Sequence, residues 1–169
     1  MTNTLNTTKD HLQEAFAGES QANHKYLAFA KKAEQEGYPQ IARLFRAAAH
    51  GEAIHALNHL AAMEGIGTTA ENLKEAFGGE TYEFEQMYPP MMDQANAEGN
   101  KKAYRTFNFA NEVEKIHAGL YKEALDLLEG EMETYGYYVC PVCGYLHART
   151  APERCPVCGA PGKNFVAIS

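Results

Sequence analysis

The feature that most constrains the fold of this chain is a long internal repeat. A shift of 62 residues places Phe45 on Phe107 and the segment EAIHA at 52–56 on EKIHA at 114–118. The second segment keeps the Glu, Ile, His and Ala of the first at the same spacing. Two copies of one helical unit would place matching side chains symmetrically about a central site. The repeat therefore predicts a symmetric helical bundle with a site in its core.

Apolar residues recur at spacings of three and four from about residue 7 to 131, which predicts long helices. The second helix begins at Pro39, and a short connecting helix is expected at 68–77, capped by Thr69 and closed by Gly78-Gly79. A third helix is expected from Glu80, interrupted by Pro89-Pro90, and a fourth over about 101–129. Four long helices with one longer crossover predict an all-α four-helix bundle of the ferritin-like class.

The C-terminal segment has a different character. Periodicity fades near residue 130, where a linker is expected at 130–136, and VCPVCG and RCPVCG follow. So short a segment buries too little surface to fold without a bound metal. We predict two domains, 1–134 and 135–169, the second small and β-rich. Its metal ligands are all four cysteines of the chain: Cys140, Cys143, Cys155 and Cys158.

A Glu-x-x-His pair occurs in each repeat, so each pair projects from one face of its helix. Two such pairs, joined by one Glu from each of the two other helices, form the di-metal carboxylate pattern of ferritin-like bundles. Carboxylates offset the charge of two cations, and one imidazole per metal leaves positions open for a small oxygen-containing substrate. The predicted ligands are Glu19, Glu52, His55, Glu83, Glu114 and His117.

These motifs together resemble the rubrerythrin family over the whole length of the chain. The matching stretches are AGESQAN, GEAIH, YEFEQMYP, VEKIH and the two CPVCG knuckles. The resemblance implies a non-haem di-iron centre on the six ligands named above and a rubredoxin-type Fe(Cys)4 centre in the knuckles. It further implies a cytoplasmic peroxidase that reduces hydrogen peroxide to water in oxidative-stress defence.

The resemblance also implies how electrons arrive. They would come from an electron-donor protein or reductase, a rubredoxin or an NAD(P)H-linked enzyme, and pass through the Fe(Cys)4 centre to the di-iron site. Rubrerythrins usually form head-to-tail homodimers, in which one subunit's rubredoxin centre serves the neighbouring di-iron site. We expect the same partners and the same assembly here.

One position departs from the family pattern. The family has a second Glu one turn after the ligand on the third helix, where this chain has Gln86. In the family that Glu exchanges with the helix-two His when the iron changes oxidation state, so we expect His55 to stay bound in both states, or the diferric form to be less stabilised. A different alignment makes Glu80 and Glu83 the pair, although Met87-Tyr88-Pro89 anchors the alignment as given.

Composition limits the other functions that the chain could have. The net charge of −7 and the absence of a basic run argue against nucleic-acid binding, and no apolar run is long enough to span a membrane. The polar N-terminus does not resemble a signal peptide. Two alternatives stay open: a ferroxidase or iron-handling protein that uses dioxygen, and a non-enzymatic binding protein with a zinc ribbon. The first leaves the electron-delivery domain without a role, and the second does not explain the doubled Glu-x-x-His.

Overall fold

The structure, a computed structural model, describes residues 7–130 and 133–169. Residues 131 and 132 of the predicted linker lie outside the described residues, as do residues 1–6 of the first predicted domain. The chain divides into two compact units, one ending at Gly67 and the other running from Thr68 to Ser169. The first contains two long helices, and the second contains the remaining helices and a small sheet.

The first unit is an antiparallel helix pair, α1 (Thr8–Gln35) and α2 (Pro39–Ala62). Thr7 caps α1, and Pro39 lies in the first turn of α2, where its missing N–H is not needed. Small side chains let the two backbones approach closely, so the seam of this unit is built from alanine. The buried residues are Ala30, Ala33, Ala42, Ala49 and Ala56.

The helices of the second unit correct one prediction. α3 (Thr69–Tyr82) begins after its cap at Thr68 and runs through Gly78 and Gly79, so the separate connecting helix that was expected to end there is wrong. α3 packs along α5 (Lys101–Asp126). This packing offsets the roughly 1 kcal/mol by which each glycine weakens a helix.

A π-helical turn (Glu83–Met87) joins α3 to α4 (Tyr88–Ala97), so the three segments form one long, interrupted helix. Pro89 and Pro90 have no N–H, so they cannot donate to carbonyls one turn earlier. The Tyr88 N–H instead reaches the Glu83 carbonyl, five residues back. The helix is therefore interrupted as predicted, but by a π turn just before the two prolines, which lie in the first turn of α4.

The internal repeat is visible in the structure. The rings of Tyr26 and Phe45 lie 6.1 Å apart at 38°, and their counterparts Tyr88 and Phe107 lie 6.3 Å apart at 39°. Each unit also ends its first long helix on a glycine with positive φ, 82° at Gly37 and 68° at Gly99. Each unit therefore presents the same helix pair, with its side chains at matching positions.

The C-terminal part of the second unit is a three-stranded antiparallel sheet in the order β2-β1-β3. Its strands are β1 (Tyr137–Val139), β2 (Leu146–Ala148) and β3 (Val166–Ile168), and a 3-10 turn (Gly162–Asn164) precedes β3. Strand β2 contacts α5, so the sheet is attached to the helices of its own unit. Among the described helices, none combines the length and apolar character that a membrane span requires.

Candidate metal centres

The two knuckles bring the four cysteine sulfurs together at one end of the sheet. Each knuckle is a tight turn in which the glycine after the second cysteine donates its N–H to the carbonyl of the first: Gly144 to Cys140 at 3.0 Å, and Gly159 to Cys155 at 2.9 Å. Both glycines have positive φ, 85° and 75°, a conformation that glycine adopts without strain. The turn geometry thus explains why each motif ends in glycine.

The sulfur positions fit a tetrahedral metal site. All four Sγ atoms lie within 4.8 Å of one another, and the Sγ atoms of Cys140 and Cys158, like those of Cys143 and Cys155, are 3.5 Å apart. A disulfide would require about 2.05 Å, whereas sulfurs about 2.3 Å from one ion lie roughly 3.8 Å apart in a tetrahedron. The site therefore fits a single ion held by four thiolates.

The thiols of the two knuckles differ in acidity. Burial raises the pKa of Cys143 and of Cys158. At Cys140 burial also opposes ionisation, but the backbone N–H groups of Val142 and Cys143 outweigh it and lower the pKa of this thiol. The backbone of the first knuckle is therefore already arranged to stabilise a thiolate, the form that binds metal.

The first unit brings together Glu19, Glu52 and His55, three of the predicted ligands. His55 Nδ1 lies 2.9 Å from a Glu52 carboxylate oxygen and 3.9 Å from a Glu19 oxygen. Across the α1–α2 seam, the Asn23 side-chain amide donates to the Ala49 carbonyl at 2.7 Å, which fixes the two helices near the cluster. Ligand atoms bound at about 2.1 Å to one ion lie roughly 3 Å apart, so this set fits one metal ion.

The second unit brings together Glu80, Glu114 and His117. His117 Nδ1 lies 2.8 Å from a Glu114 oxygen and 3.6 Å from a Glu80 oxygen. Burial alone would lower the pKa of His117, but the hydrogen bond with Glu114 and the charges of Glu114 and Glu80 outweigh it and raise the pKa. This cluster has the same composition as that of the first unit, one Glu and one Glu-x-x-His pair.

Glu80 lies in this cluster but is not among the predicted ligands. It occupies the place in the cluster that was expected for Glu83, and it lies 34 residues before Glu114, close to the 33 between Glu19 and Glu52. Glu83 follows one turn later, and burial together with the charge of Glu114 raises the pKa of its carboxyl. The two glutamates are three residues apart on one helix, so spacing alone does not separate their roles.

The positions of Glu80 and Glu83 also bear on the role expected for Gln86. Gln86 and Glu85 are exposed and lie outside the cluster, whereas Glu83 stands one turn after Glu80. The expectation that His55 stays bound in both oxidation states rested on Gln86 replacing the second family glutamate. The position of Glu80 beside Glu114 and His117 favours the alternative alignment, with Glu80 and Glu83 as the pair, and the behaviour of His55 stays a prediction.

Two further features were not assigned from the sequence. His117 Nε2 lies 3.3 Å from the Gly144 carbonyl oxygen, so the histidine of the cluster contacts the first cysteine knuckle of its own chain. The pKa of the Tyr88 hydroxyl is raised by burial and then by the charges of Glu83, Glu114 and Glu80, which places this phenol beside the carboxylates. Tyr88 is the repeat counterpart of Tyr26, and that correspondence was a usable signal for it. The Gly144 contact is made by a backbone carbonyl, which no residue pattern encodes.

Comparisons with known proteins identify the family of both parts of the chain. The rubrerythrin family model matches residues 10–125, and the model of the rubrerythrin rubredoxin-like domain matches residues 138–166. The chain is 38% identical to rubrerythrin-2 of Clostridium acetobutylicum, covering 95% of this chain and 96% of that protein. It is 36% identical to nigerythrin of Nitratidesulfovibrio vulgaris, covering 96% of this chain and 87% of the relative.

Solved structures of nigerythrin give the same answer. The partially reduced state aligns with a TM-score of 0.59 at 35% identity, covering 99% of this chain and 89% of that chain, and the fully reduced, all-ferrous state gives the same values. The expected fold class is thereby confirmed: a ferritin-like four-helix bundle with a small C-terminal rubredoxin-like domain. The chain belongs to the rubrerythrin family.

Proposed function

We propose that this protein is a non-haem di-iron peroxidase that reduces hydrogen peroxide to water. The observation that carries the proposal is the contact between His117 and Gly144, because it joins a carboxylate–histidine cluster to a cysteine knuckle. A metal site in direct contact with a thiolate metal site is suited to a reaction that needs repeated electron delivery. The family relationship supports iron at both places, since zinc has no accessible second oxidation state.

The chain's residues fit these groups. The two clusters and the neighbouring Glu83 would hold an iron pair, and the four cysteines a single iron. When bound, the iron pair supplies the two electrons that cleave the O–O bond of peroxide, and the single iron returns electrons one at a time. The proposed ligands of the pair are Glu19, Glu52, His55, Glu80, Glu114 and His117.

The remaining residues act on protons and orientation. The Tyr88 hydroxyl, whose pKa is raised, stays protonated at neutral pH and can donate a hydrogen bond beside the carboxylates. The Gly144 carbonyl accepts a hydrogen bond from the Nε2–H of His117, which fixes the ring so that Nδ1 faces Glu114 and Glu80. The same hydrogen bond offers a short path between the knuckle and the cluster, within one chain.

This contact bears on the expected assembly. The head-to-tail expectation assigned each rubredoxin centre to the neighbouring subunit's site, whereas the contact with His117 is made by a chain's own knuckle. We therefore propose that electrons enter at the knuckle from a rubredoxin or an NAD(P)H-linked reductase in the cytoplasm, and pass to His117 of the same chain. A homodimer remains part of the proposal.

The test is a reoxidation experiment on iron-replete protein reduced without oxygen. We expect fast reoxidation of the helical site by hydrogen peroxide and slow reoxidation by dioxygen, followed stopped-flow by absorbance. The variant Cys143→Ser should keep a single peroxide turnover but lose re-reduction by an external donor. A faster reaction with dioxygen than with peroxide would instead support a ferroxidase. If the cysteine knuckles bound zinc even in protein expressed with ample iron, they could not transfer electrons.

A further inference from the structure

The two cysteine knuckles share the sequence CPVCG, but they have different surroundings. In the first knuckle, the Gly144 carbonyl contacts His117, and a Cβ placed on Gly144 would lie 3.9 Å from Cγ1 of Val113 on α5. In the second knuckle, Gly159 is exposed, and a Cβ placed there would meet no atom of the described residues within 4 Å beyond its two chain neighbours. The first knuckle is therefore covered by a helix of its own unit at a point where the second knuckle is open.

Burial divides the four cysteines in the same way in both knuckles. Cys140 and Cys155, the first cysteine of each knuckle, are 1% and 3% exposed. Cys143 and Cys158, the second cysteine of each knuckle, are half-buried. Because electron transfer slows with distance, the less buried sulfurs are the points where an electron enters and leaves the centre. Cys143 precedes the glycine that contacts His117, and Cys158 precedes the glycine that is open.

The charge of the chain is divided unevenly between its two parts. Residues 135–169 contain three of the fifteen Lys and Arg residues but only one of the twenty-two Asp and Glu residues, so their formal charge is +2. Since the whole chain has a net charge of −7, residues 1–134 have a formal charge of −9. An acidic protein is therefore attracted to the C-terminal domain and repelled by the helical residues, whereas a basic protein is drawn to the helices.

Two of the three cations of the C-terminal domain lie on the segment that forms the second knuckle. Arg154 precedes the first cysteine of this knuckle, and its guanidinium donates to the Gly159 carbonyl at 3.0 Å, next to Cys158. Lys163 lies on the turn that pairs with the start of the knuckle through a β-bridge between Arg154 and Pro161. Both cationic side chains belong to exposed residues. They therefore place positive charge beside the more accessible thiolate of the second knuckle.

The other charges of the domain do not cancel these two cations. The third cation, Arg149, is already paired with Glu133, with 2.6 Å between Nη1 and a carboxylate oxygen. Glu153 is the one acidic residue of 135–169, and among the described residues no carboxylate forms an ion pair with Arg154 or Lys163. The surface of the second knuckle therefore keeps a net positive charge.

We propose that the second knuckle is the docking surface for the electron donor, and that the donor is a one-electron carrier protein with an acidic surface around its redox centre. This inference rests on the electron-transfer role in the proposed function. At Cys158 the carrier loses one electron and the knuckle iron passes from ferric to ferrous. The iron returns to ferric when that electron leaves from Cys143 past His117. NAD(P)H transfers hydride, which an iron held by four thiolates does not accept, so its electrons arrive only through such a carrier.

Binding to protein with zinc in the knuckles tests the docking without electron transfer. Four thiolates hold zinc as they hold iron, but zinc cannot be reduced, so the measurement reports docking alone. The probe is a purified rubredoxin of strongly negative net charge, titrated against the full chain at low ionic strength and followed by NMR. We expect the double variant Arg154→Gln, Lys163→Gln to raise the dissociation constant about tenfold. The difference should vanish at about 1 M salt, where charges are screened within about 3 Å.

The repeated motif provides a matched pair of variants. Val142 and Val157 occupy the same position of CPVCG in the two knuckles. Val157→Glu places a negative charge on the docking surface and should weaken binding of the acidic rubredoxin more than Val142→Glu does. Equal effects, or a larger effect of Val142→Glu, would overturn the assignment to the second knuckle. A double Gln variant that binds as tightly as wild-type protein would overturn it as well.

Stopped-flow reduction of the iron-loaded protein separates the docking from the proposed function. Reduced acidic rubredoxin should reduce the knuckle iron about tenfold more slowly in the double Gln variant, while a small uncharged flavin reductant should reduce both proteins at the same rate. An equal loss with both reductants would mean that the two cations set the reactivity of the iron, and it would overturn the docking. Knuckle iron that accepts no electron from either reductant, in protein that binds rubredoxin as expected, would contradict the proposed function alone.

Discussion

The two carboxylate–histidine clusters come from one repeated sequence, yet their histidines are held differently. His117 is 17% exposed, with Glu114 on Nδ1 and the Gly144 carbonyl on Nε2. His55 is 56% exposed, and within the described residues its partners, Glu52 and Glu19, are both on Nδ1. The repeat therefore sets the nitrogen that faces the carboxylates in both clusters, while the C-terminal domain, which has no counterpart in the first unit, supplies the partner of the second nitrogen of His117.

The largest effect should show that the two clusters act as one site despite this difference. Glu52→Gln and Glu114→Gln each remove a charged ligand from one cluster. We expect either change to reduce iron from about three to about one per chain and peroxide turnover by at least about a hundredfold. Metal analysis and steady-state turnover measure both.

The matched control is Glu112→Gln, which changes an exposed glutamate two residues before Glu114 and should leave iron and turnover unchanged. If each ligand variant loses only one iron, the clusters bind their ions independently. The protein would then contain two separate metal sites.

A second prediction concerns the apolar face of the first unit. Leu44 and Leu57 are 65% and 60% exposed on the same helix, but they lie about 140° apart. If a second copy covers the ligand-bearing face, Leu44→Ala removes a buried side chain and should cost about 2 kcal/mol or more, a roughly thirtyfold increase in the dimer dissociation constant. Leu57→Ala should have a smaller effect. Equal effects in analytical ultracentrifugation would show that the ligand-bearing face is not the contact.

Much of this site follows from spacing. The three-residue Glu–His interval puts both side chains on one helix face, so Glu52–His55 and Glu114–His117 were found from the sequence, as were the four cysteines. Glu80 was not selected, because Glu80 and Glu83 share a face and only the packing of α3 against α5 separates them. The full length of α3 was not predicted, because Gly78 and Gly79 indicated a helix end where tertiary packing maintains a helix.

A third prediction uses the acidity of the second cluster. In protein without metal in the helical sites, burial and the charge of Glu114 raise the pKa of Glu80 and of Glu83 above 4.5. The folded state then binds these protons more tightly than the unfolded state. Their contribution therefore favours folding below pH 4.5 and is lost as the pH rises through the raised pKa values.

Carboxyl carbon NMR titration measures both groups directly. Glu83→Gln should lower the pKa of Glu80, because the charge of Glu83 is one cause of its shift. Addition of a divalent metal should release protons from the cluster in both proteins. Titration of Glu80 or Glu83 at or below 4.5 in metal-free protein would contradict the packing of this cluster.

The smallest expected effect is a difference in stability between matching asparagine variants in the two helix pairs. Asn23 in the first unit donates to the Ala49 carbonyl at 2.7 Å. In the second unit, Asn111, the repeat counterpart of Ala49, is 6% exposed, and its side-chain oxygen has no hydrogen-bond partner among the described residues. Asn23→Leu should therefore cost about 1 kcal/mol, the net value of a lost hydrogen bond, whereas Asn111→Leu should be neutral or slightly stabilising. Urea unfolding of both variants measures the difference, and a larger loss at Asn111 would mean that its oxygen has a partner in the assembled dimer.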